Sequence, residues 1–394
     1  MLDFGKGRLS VLGCPGDVPN DAKPTEPPKF RLDRLGACGH YRIKWPLDAI
    51  ARRGFRTEWG VYLGSDLSHL ITQFDVAVFQ RQTQAGLREI IEDAREAGVV
   101  VVYDFDDNVL HVSDPDNYFG QLFFGNNRDL VWRAFLEFER KGMVDPRIPR
   151  SPDFVFQAAQ MRRRQFVEML GSVDCITVTV PYLKEVYAEH TDTRIEVLPN
   201  CIEPVEWDAE VVDIPGTEGK FIIGWSGSET HAADLKMIVQ PLNSFMKRVP
   251  DAVLVLVGFP AAREFFPALL QERILTFPFM ESSKYKGYVK AFDVALAPAV
   301  NSAFNKSKSS IRIWEAGMAG LPVIASPVPY GNDVHEFGFV AKNNSDWFRA
   351  LKTVHENVAG WRKIGKLHQK HVLKDHTYDA NIDKWISLYE ELTS

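Results

Sequence analysis

Apolar runs and amphipathic polar segments alternate along most of this 394-residue chain. "FDVAVFQR" (74–81) predicts a strand, "AGLREIIEDAREAG" a helix and "VVVVYDF" (99–105) the next strand. The unbroken valine run has no polar face, which suits a strand covered on both sides in a parallel sheet. Ahead of it, "ACGHYRIKWPLDAIARRGF" predicts a turn followed by a helix, and "TEWGVYL" a strand. "CPGDVPNDAKPTEPPK" (14–29) is rich in Pro and polar residues and predicts an irregular lead-in, with regular structure starting at "KFRLDRLG". Residues 111–160 are polar and aromatic with weak periodicity, and predict helices with a long loop. "MRRRQFVEMLGSVDCITVTV" restores helix then strand, and "RIEVLPN" closes the first half.

The second half alternates more clearly. "KFIIGW", "AVLVLVG", "RILTFPF", "DVALAPAV" and "LPVIAS" predict strands, with "HAADLKMIVQPLNSFMKRV" as one helix between the first two. Such alternation builds parallel sheets flanked by helices. The expected fold class is α/β, with two Rossmann-like doubly wound domains facing a cleft. The expected boundaries are an irregular extension (1–29), an N-terminal domain (30–200), a C-terminal domain (201–375) and a terminal helix (376–394) packing back on the N-terminal domain. In "DANIDKWISLYEEL", Ile382, Trp385, Ile386 and Tyr389 share one helical face. No internal repeat is evident.

Composition adds bounds. The length favours two cores, and 45% hydrophobic and 25% charged residues are ordinary for a globular protein. A net charge of −6 argues against a generally basic nucleic-acid binder, while leaving room for a local basic groove. Cys14, Cys38, Cys175 and Cys201 show no CxxC or Cys/His pairing, so neither a zinc site nor a disulfide framework is expected and a reducing cytosol is. No stretch approaches a membrane span, and the opening "MLDFGKGRLSVLGCPGD" lacks a signal-peptide core, so the expectation is a cytoplasmic protein.

Ligands of open α/β sheets sit outside the carboxyl ends of the strands, which selects four segments. In "GWSGSETHAADL" (224–235), Gly227 lets backbone approach a ligand, and Ser228, Thr230 and His231 offer hydrogen bonds near a helix start. A plain turn capped by Thr230 is the alternative. In "NKSKSSIRIWEAGMAGLPVIAS" (305–326), Ser309 or Ser310 is the expected N-cap, and Ile311, Trp314 and Met318 form an apolar stripe ended by Gly320. Lys306, Lys308 and Arg312 crowd the positive end of that helix, at a cost of about 0.3–1 kcal/mol each, and an anionic ligand would reverse the sign. Glu315 could hold two ribose hydroxyls, or merely pair with Arg312. "YDFDDNVL" (103–110) sets Asp104, Asp106 and Asp107 at a strand end, as catalytic or acceptor-orienting carboxylates or as turn caps. "GACGHYRIKWP" (36–46) offers Gly39, His40 and Arg42 on the acceptor or sugar side, with Gly36 and Gly39 loosening the turn.

Together, "EVLPNCIEP", "FIIGWSGSETHAADL", "AFDVALAPAV", "FNKSKSSIRIWEAGMAGLPVIASPVPY" and "HTYDANIDKWISLYEEL" resemble the GT-B glycosyltransferases, in particular the retaining, nucleotide-sugar-dependent family 4 or "group 1" enzymes. The specific part of the likeness covers about residues 195–394; "GHYRIKWPLDAIARRG" and "VVVVYDFDDNVL" match more loosely. The resemblance implies transfer of a sugar from a nucleotide diphosphate to a hydroxyl with retention, no essential metal, and no cofactor beyond the nucleotide-sugar co-substrate. It implies a C-terminal donor site in which Glu315 binds the ribose and Gly227 adjoins the diphosphate. Family members often carry a further Glu where this chain has Ser307, and Arg and Lys where it has Ser228 and His231. Lys306, Lys308 and Arg312 are then the expected cations for the diphosphate. The loop at Phe279 and Met280 is the expected place for the base.

The expected partners are a nucleotide sugar and a hydroxyl acceptor such as a glycan, a lipid-linked glycan or another envelope component, with peripheral membrane contact compatible. Three other readings share the fold: transfer to hydroxylated bases in DNA, a nucleotide-sugar epimerase or phosphorylase, and a non-catalytic nucleotide-sugar binder.

Overall fold

The computed structural model describes residues 9–16, 35–62, 65–82, 86–112, 115, 117–334 and 336–394. It forms two compact units: residues 1–110, 158–201 and 378–394 make one, and 111–157 with 202–377 make the other.

The sheet of the first unit contains β1 (Ser10–Cys14), β2 (Arg56–Trp59), β3 (Val76–Gln80), β4 (Val100–Phe105), β5 (Cys175–Val178) and β6 (Ile195–Val197). All pair in parallel, in the order β2-β1-β3-β4-β5-β6. Every residue of β1 and β3 is buried, as expected for strands covered on both faces. β1 corrects the sequence reading: the segment 1–29 taken as irregular contains a central strand. The start of regular structure expected at "KFRLDRLG" falls largely outside the described residues. Gly13 allows the following helix to press onto β1, because a Cβ there would lie 2.4 Å from Leu47 Cδ1.

The sheet of the second unit contains β7 (Phe221–Ser226), β8 (Ala252–Val257), β9 (Ile274–Phe277), β10 (Val294–Ala297), β11 (Val323–Ala325) and β12 (Gly338–Val340). Its order is β12-β11-β10-β7-β8-β9, again parallel throughout. This is the doubly wound Rossmann order, in which the strand sequence reverses beside the first strand, β7. Two apolar layers, one around Trp225, Phe245 and Trp347 and one around Trp314, Phe292 and Tyr330, belong to this unit.

The helix expected over "HAADLKMIVQPLNSFMKRV" is interrupted, as Ala232–Lys236 and Val239–Arg248. Pro241 explains the break, since its ring excludes helical bonding to the carbonyl of Met237 four residues earlier. The weakly periodic region 111–160 holds helices Tyr118–Phe124 and Arg128–Arg140 and the start of Pro152–Leu170. Asn117 and Asn127 cap the first two by accepting from Gly120 N and from Asp129 N and Leu130 N.

Candidate functional site

Strand reversal beside β7 and β10 places the carboxyl ends of these strands around one polar cluster. Ser226 ends β7, and its Oγ lies 3.0 Å from the hydroxyl of Tyr285. That hydroxyl donates to Glu315 Oε2 at 3.0 Å. Arg312 Nη1 donates to the Ser226 carbonyl at 2.6 Å. Ser226, Tyr285, Arg312 and Glu315 thus line one pocket with Gly224 and Ala297. Gly227 is required here by proximity: a Cβ would lie 2.8 Å from Trp225 Cζ2 and 3.1 Å from Arg312 Nη2. Burial, followed by the charge of Glu315, pushes the Tyr285 phenol far up, so it stays a donor at neutral pH. Arg312 thus hydrogen-bonds a backbone carbonyl and Glu315 accepts from Tyr285.

Beside this pocket runs a second polar chain. His231 Nδ1 lies 2.9 Å from Asp234 Oδ2. Asp234 Oδ1 accepts from Val300 N at 2.9 Å and from Asn305 Nδ2 at 2.8 Å. This ties the turn after β7 to the segment after β10. Ser307 is fully buried, and its hydroxyl donates back to the Ala303 carbonyl at 3.0 Å. Ser310 is the N-cap residue of the helix Ile311–Met318, as expected, but its hydroxyl donates to Asp333 instead of capping.

The three cations do not share one helix end. Lys306 closes its own short helix, Ala303–Lys306, and is exposed. Lys308 stands between the two helices with its ammonium 4.4 Å from the centre of the Phe304 ring. Lys308 and Arg312 both act electrostatically on His231 and Tyr330. Ser228 Oγ is 2.7 Å from Thr230 Oγ1 within the same turn. Phe279 and Met280 follow β9; Phe279 is 75% exposed, whereas Met280 packs against the core.

In the first unit the structure separates the three aspartates. Asp104 is buried with Arg42 in a bidentate pair, Nε–Oδ1 at 2.8 Å and Nη2–Oδ2 at 2.6 Å. Thr177 Oγ1 adds a donor to Asp104 Oδ2 at 2.6 Å, and Arg42 Nη1 donates to the Leu198 carbonyl and Asn200 Oδ1. Asp104, expected as catalytic, and Arg42, expected on the acceptor or sugar side, are thus engaged with each other in the interior. With side-chain exposures of 3% and 1%, the pair ties the helical segment after β1 to β4, β5 and the end of β6. Gly39 has a helical φ of −62°, so it does not loosen the turn as expected.

Asp106 and Asp107 remain at the strand end, gathered by Arg81. Arg81 Nη1 donates to Asp107 Oδ2 at 2.9 Å, and its Nε is 3.4 Å from Asp106 Oδ1. Arg81 holds φ +50°, a left-handed conformation costly for a non-glycine residue and frequent at functional sites. Burial raises the Asp106 carboxyl and Asp107 adds to the rise, while Arg81 opposes it. Donor atoms of Cys38, Asp106 and Asp107 lie within 4.8 Å of one another. Arg81 offsets one of the two carboxylate charges. His40 opens a π-helical turn, His40–Lys44, with its ring centroid 5.2 Å from that of Trp45.

Sequence reasoning missed Arg81, Tyr285, Asp234 and Asn305. Only Arg81 carried a readable signal, as the charged residue closing the strand "FDVAVFQR".

Residues 242–387 match the model of the glycosyl transferase-like family. No curated protein matches in sequence. Among solved structures, the chain is similar to Anabaena Alr3699/HepE in complex with UDP, at 12% identity and a TM-score of 0.58 over 98% of this chain and 100% of that one. A glycosyltransferase from Rickettsia africae also aligns at 12% identity and a TM-score of 0.58, over 98% of both chains. AviGT4, a glycosyltransferase involved in avilamycin A biosynthesis, aligns at 11% and 0.54 over 98% of both. The two Rossmann-like units and these likenesses define the fold, GT-B, and residues 242–387 carry the likeness to the glycosyl transferase-like family.

Proposed function

We propose that the chain transfers a sugar from a nucleoside-diphosphate sugar to a hydroxyl acceptor, with retention and without an essential metal. The observation that carries this reading is the Ser226–Tyr285–Glu315 chain with Arg312 beside it, at the carboxyl edge of a Rossmann-ordered sheet. Glu315 accepts the ribose hydroxyls there, and Arg312, Lys308 and His231 face the diphosphate, the group whose charge grows as the sugar leaves. Lys306 adds a longer-range charge, and Phe279, exposed after β9, offers a face to the base. On the first unit, Asp106 and Asp107 orient the acceptor hydroxyl, with His40 beside the same strand edge. Neighbours such as HepE are known with UDP, which makes a uridine nucleotide the first donor to try. The acceptor is proposed to be a glycan or an envelope component, and the location cytoplasmic; no helix among the described residues is long and apolar enough to cross a membrane.

The test is incubation with a panel of nucleotide sugars, following nucleoside diphosphate release with and without sugar acceptors. Release that collapses in Glu315→Ala supports the reading. An epimerised donor with no transfer would replace it with the epimerase alternative, and absence of binding to every nucleotide would refute it.

A further inference from the structure

Two of the three positive groups assigned to the diphosphate carry permanent charge, and the third is an imidazole. The surroundings of His231 decide which proton state it brings. Asp234 is buried, and Oδ1 is held by two donors, Val300 N and Asn305 Nδ2. This donor set holds it as a carboxylate, so Nδ1 of His231, 2.9 Å from Oδ2, carries the ring proton as donor. In the neutral ring Nε2 is then a lone pair, the wrong polarity for a phosphate oxygen. The His231 side chain keeps 20% of its surface exposed, so the ring is reachable by a ligand.

The charged groups around the ring come from three elements. Asp234, from the helix Ala232–Lys236, favours the imidazolium; Arg312, from the helix Ile311–Met318, and Lys308, from the turn before it, oppose it. Glu229 on the same turn is engaged by Lys141, and the Tyr330 hydroxyl answers to Arg312, Asp234 and Lys308. Without an anion the two cations and burial prevail. A bound diphosphate, with two or more negative charges, reverses the balance.

Resting on the donor-site reading above, we propose that His231 takes up one proton from solvent at Nε2 when a nucleoside diphosphate binds, and grips the diphosphate as an imidazolium backed by Asp234. One N–H bond forms, the ring gains one positive charge, and no other group changes. Consistent with this, burial first and Arg312 second depress the ring of the empty site to about 4, so it enters binding uncharged at neutral pH. Donor binding is thereby coupled to pH, and each diphosphate released returns a proton.

The experiment is titration calorimetry of the full chain with UDP, and with GDP and ADP where UDP fails, at pH 6 to 8 in two buffers of different ionisation enthalpy. Wild type is expected to take up close to one proton more than the nucleotide's own titration supplies, with affinity falling up to about tenfold per pH unit. His231→Arg, with a permanent cation, keeps binding but loses the uptake and the pH slope. His231→Asn binds more weakly and loses both as well; thermal unfolding confirms that each variant is folded. Binding without excess uptake in wild type, or uptake that survives in His231→Arg, overturns the proposal while leaving the donor site intact. Failure of all three nucleotides overturns the donor-site reading itself.

Discussion

At the scale of single residues, a polar side chain near a strand end can face the interior instead of a ligand. Asp104 and Arg42 satisfied every sequence criterion for a site, yet they neutralise each other in the interior. A buried pair of this kind punishes removal of one partner more than removal of both. Asp104→Asn is therefore expected to destabilise the first unit by about 3–5 kcal/mol, read from the urea unfolding midpoint. The double variant Arg42→Met/Asp104→Leu should cost clearly less than the sum of the single changes. Equal and additive losses would show that the pair is not coupled. Lys308 gives the opposite profile: it is partly exposed, with its ammonium 4.4 Å from the centre of the Phe304 ring. Lys308→Glu should weaken nucleoside diphosphate binding by more than tenfold at low salt and less at high salt, with the unfolding midpoint nearly unchanged. A variant that lost stability and affinity in parallel would place Lys308 in the fold instead of the site.

At the scale of elements, the helix that carries Glu315 is fixed by another helix. Ile311–Met318 packs against Val358–Asp375 so closely that a Cβ on Gly317 would lie 2.8 Å from His368 Nε2. His368 is fully buried, stacked on Phe337 with centroids 4.5 Å apart, and its Nδ1 is 3.3 Å from the Leu321 carbonyl. Burial depresses its pKa to about 4, outweighing the pull of the Leu321 carbonyl. A depressed histidine binds its proton more readily unfolded than folded. Its contribution is thus complete above about pH 6.5 and is lost as pH falls from there toward 4. Denaturant unfolding between pH 7 and 4.5 should show stability dropping by up to about 1.4 kcal/mol per pH unit for this group. His368→Phe keeps the ring and removes the titration, so it should flatten part of that slope, leaving the share that His231 contributes in the same direction. An unchanged slope would assign the acid sensitivity elsewhere.

At the scale of the whole chain, periodicity was enough for ten of the twelve strands and for the doubly wound class. The exceptions are β12, only three residues long, and β1, which is buried along its whole length, shows no alternation and pairs with β2 and β3 far along the chain. The site was legible only as far as backbone position allowed. Tyr285 reaches Glu315 across 30 residues, and Asp234 reaches Asn305 across 71. No local pattern encodes such pairs, because they arise when strand ends converge. The same long-range logic governs residues 378–394, which return to the first unit after the second is complete. Tyr378 donates to the Tyr41 carbonyl, and Tyr378, Ile382, Trp385, Ile386, Leu388 and Tyr389 are all buried. The Arg194–Glu391 pair is exposed and adds little. At roughly 1.5–3 kcal/mol per buried side chain, an upper estimate, the segment contributes on the order of 10 kcal/mol, comparable to the stability of an entire domain. A chain ending at Thr377 is therefore expected to lose the first unit's cooperative unfolding transition and its resistance to limited proteolysis. The second unit contains none of these residues, so nucleoside diphosphate binding should persist. Full-length-like unfolding of the truncated chain would show that the helix Asp383–Thr393 is an accessory, and loss of nucleotide binding would show that the donor site depends on the first unit being folded.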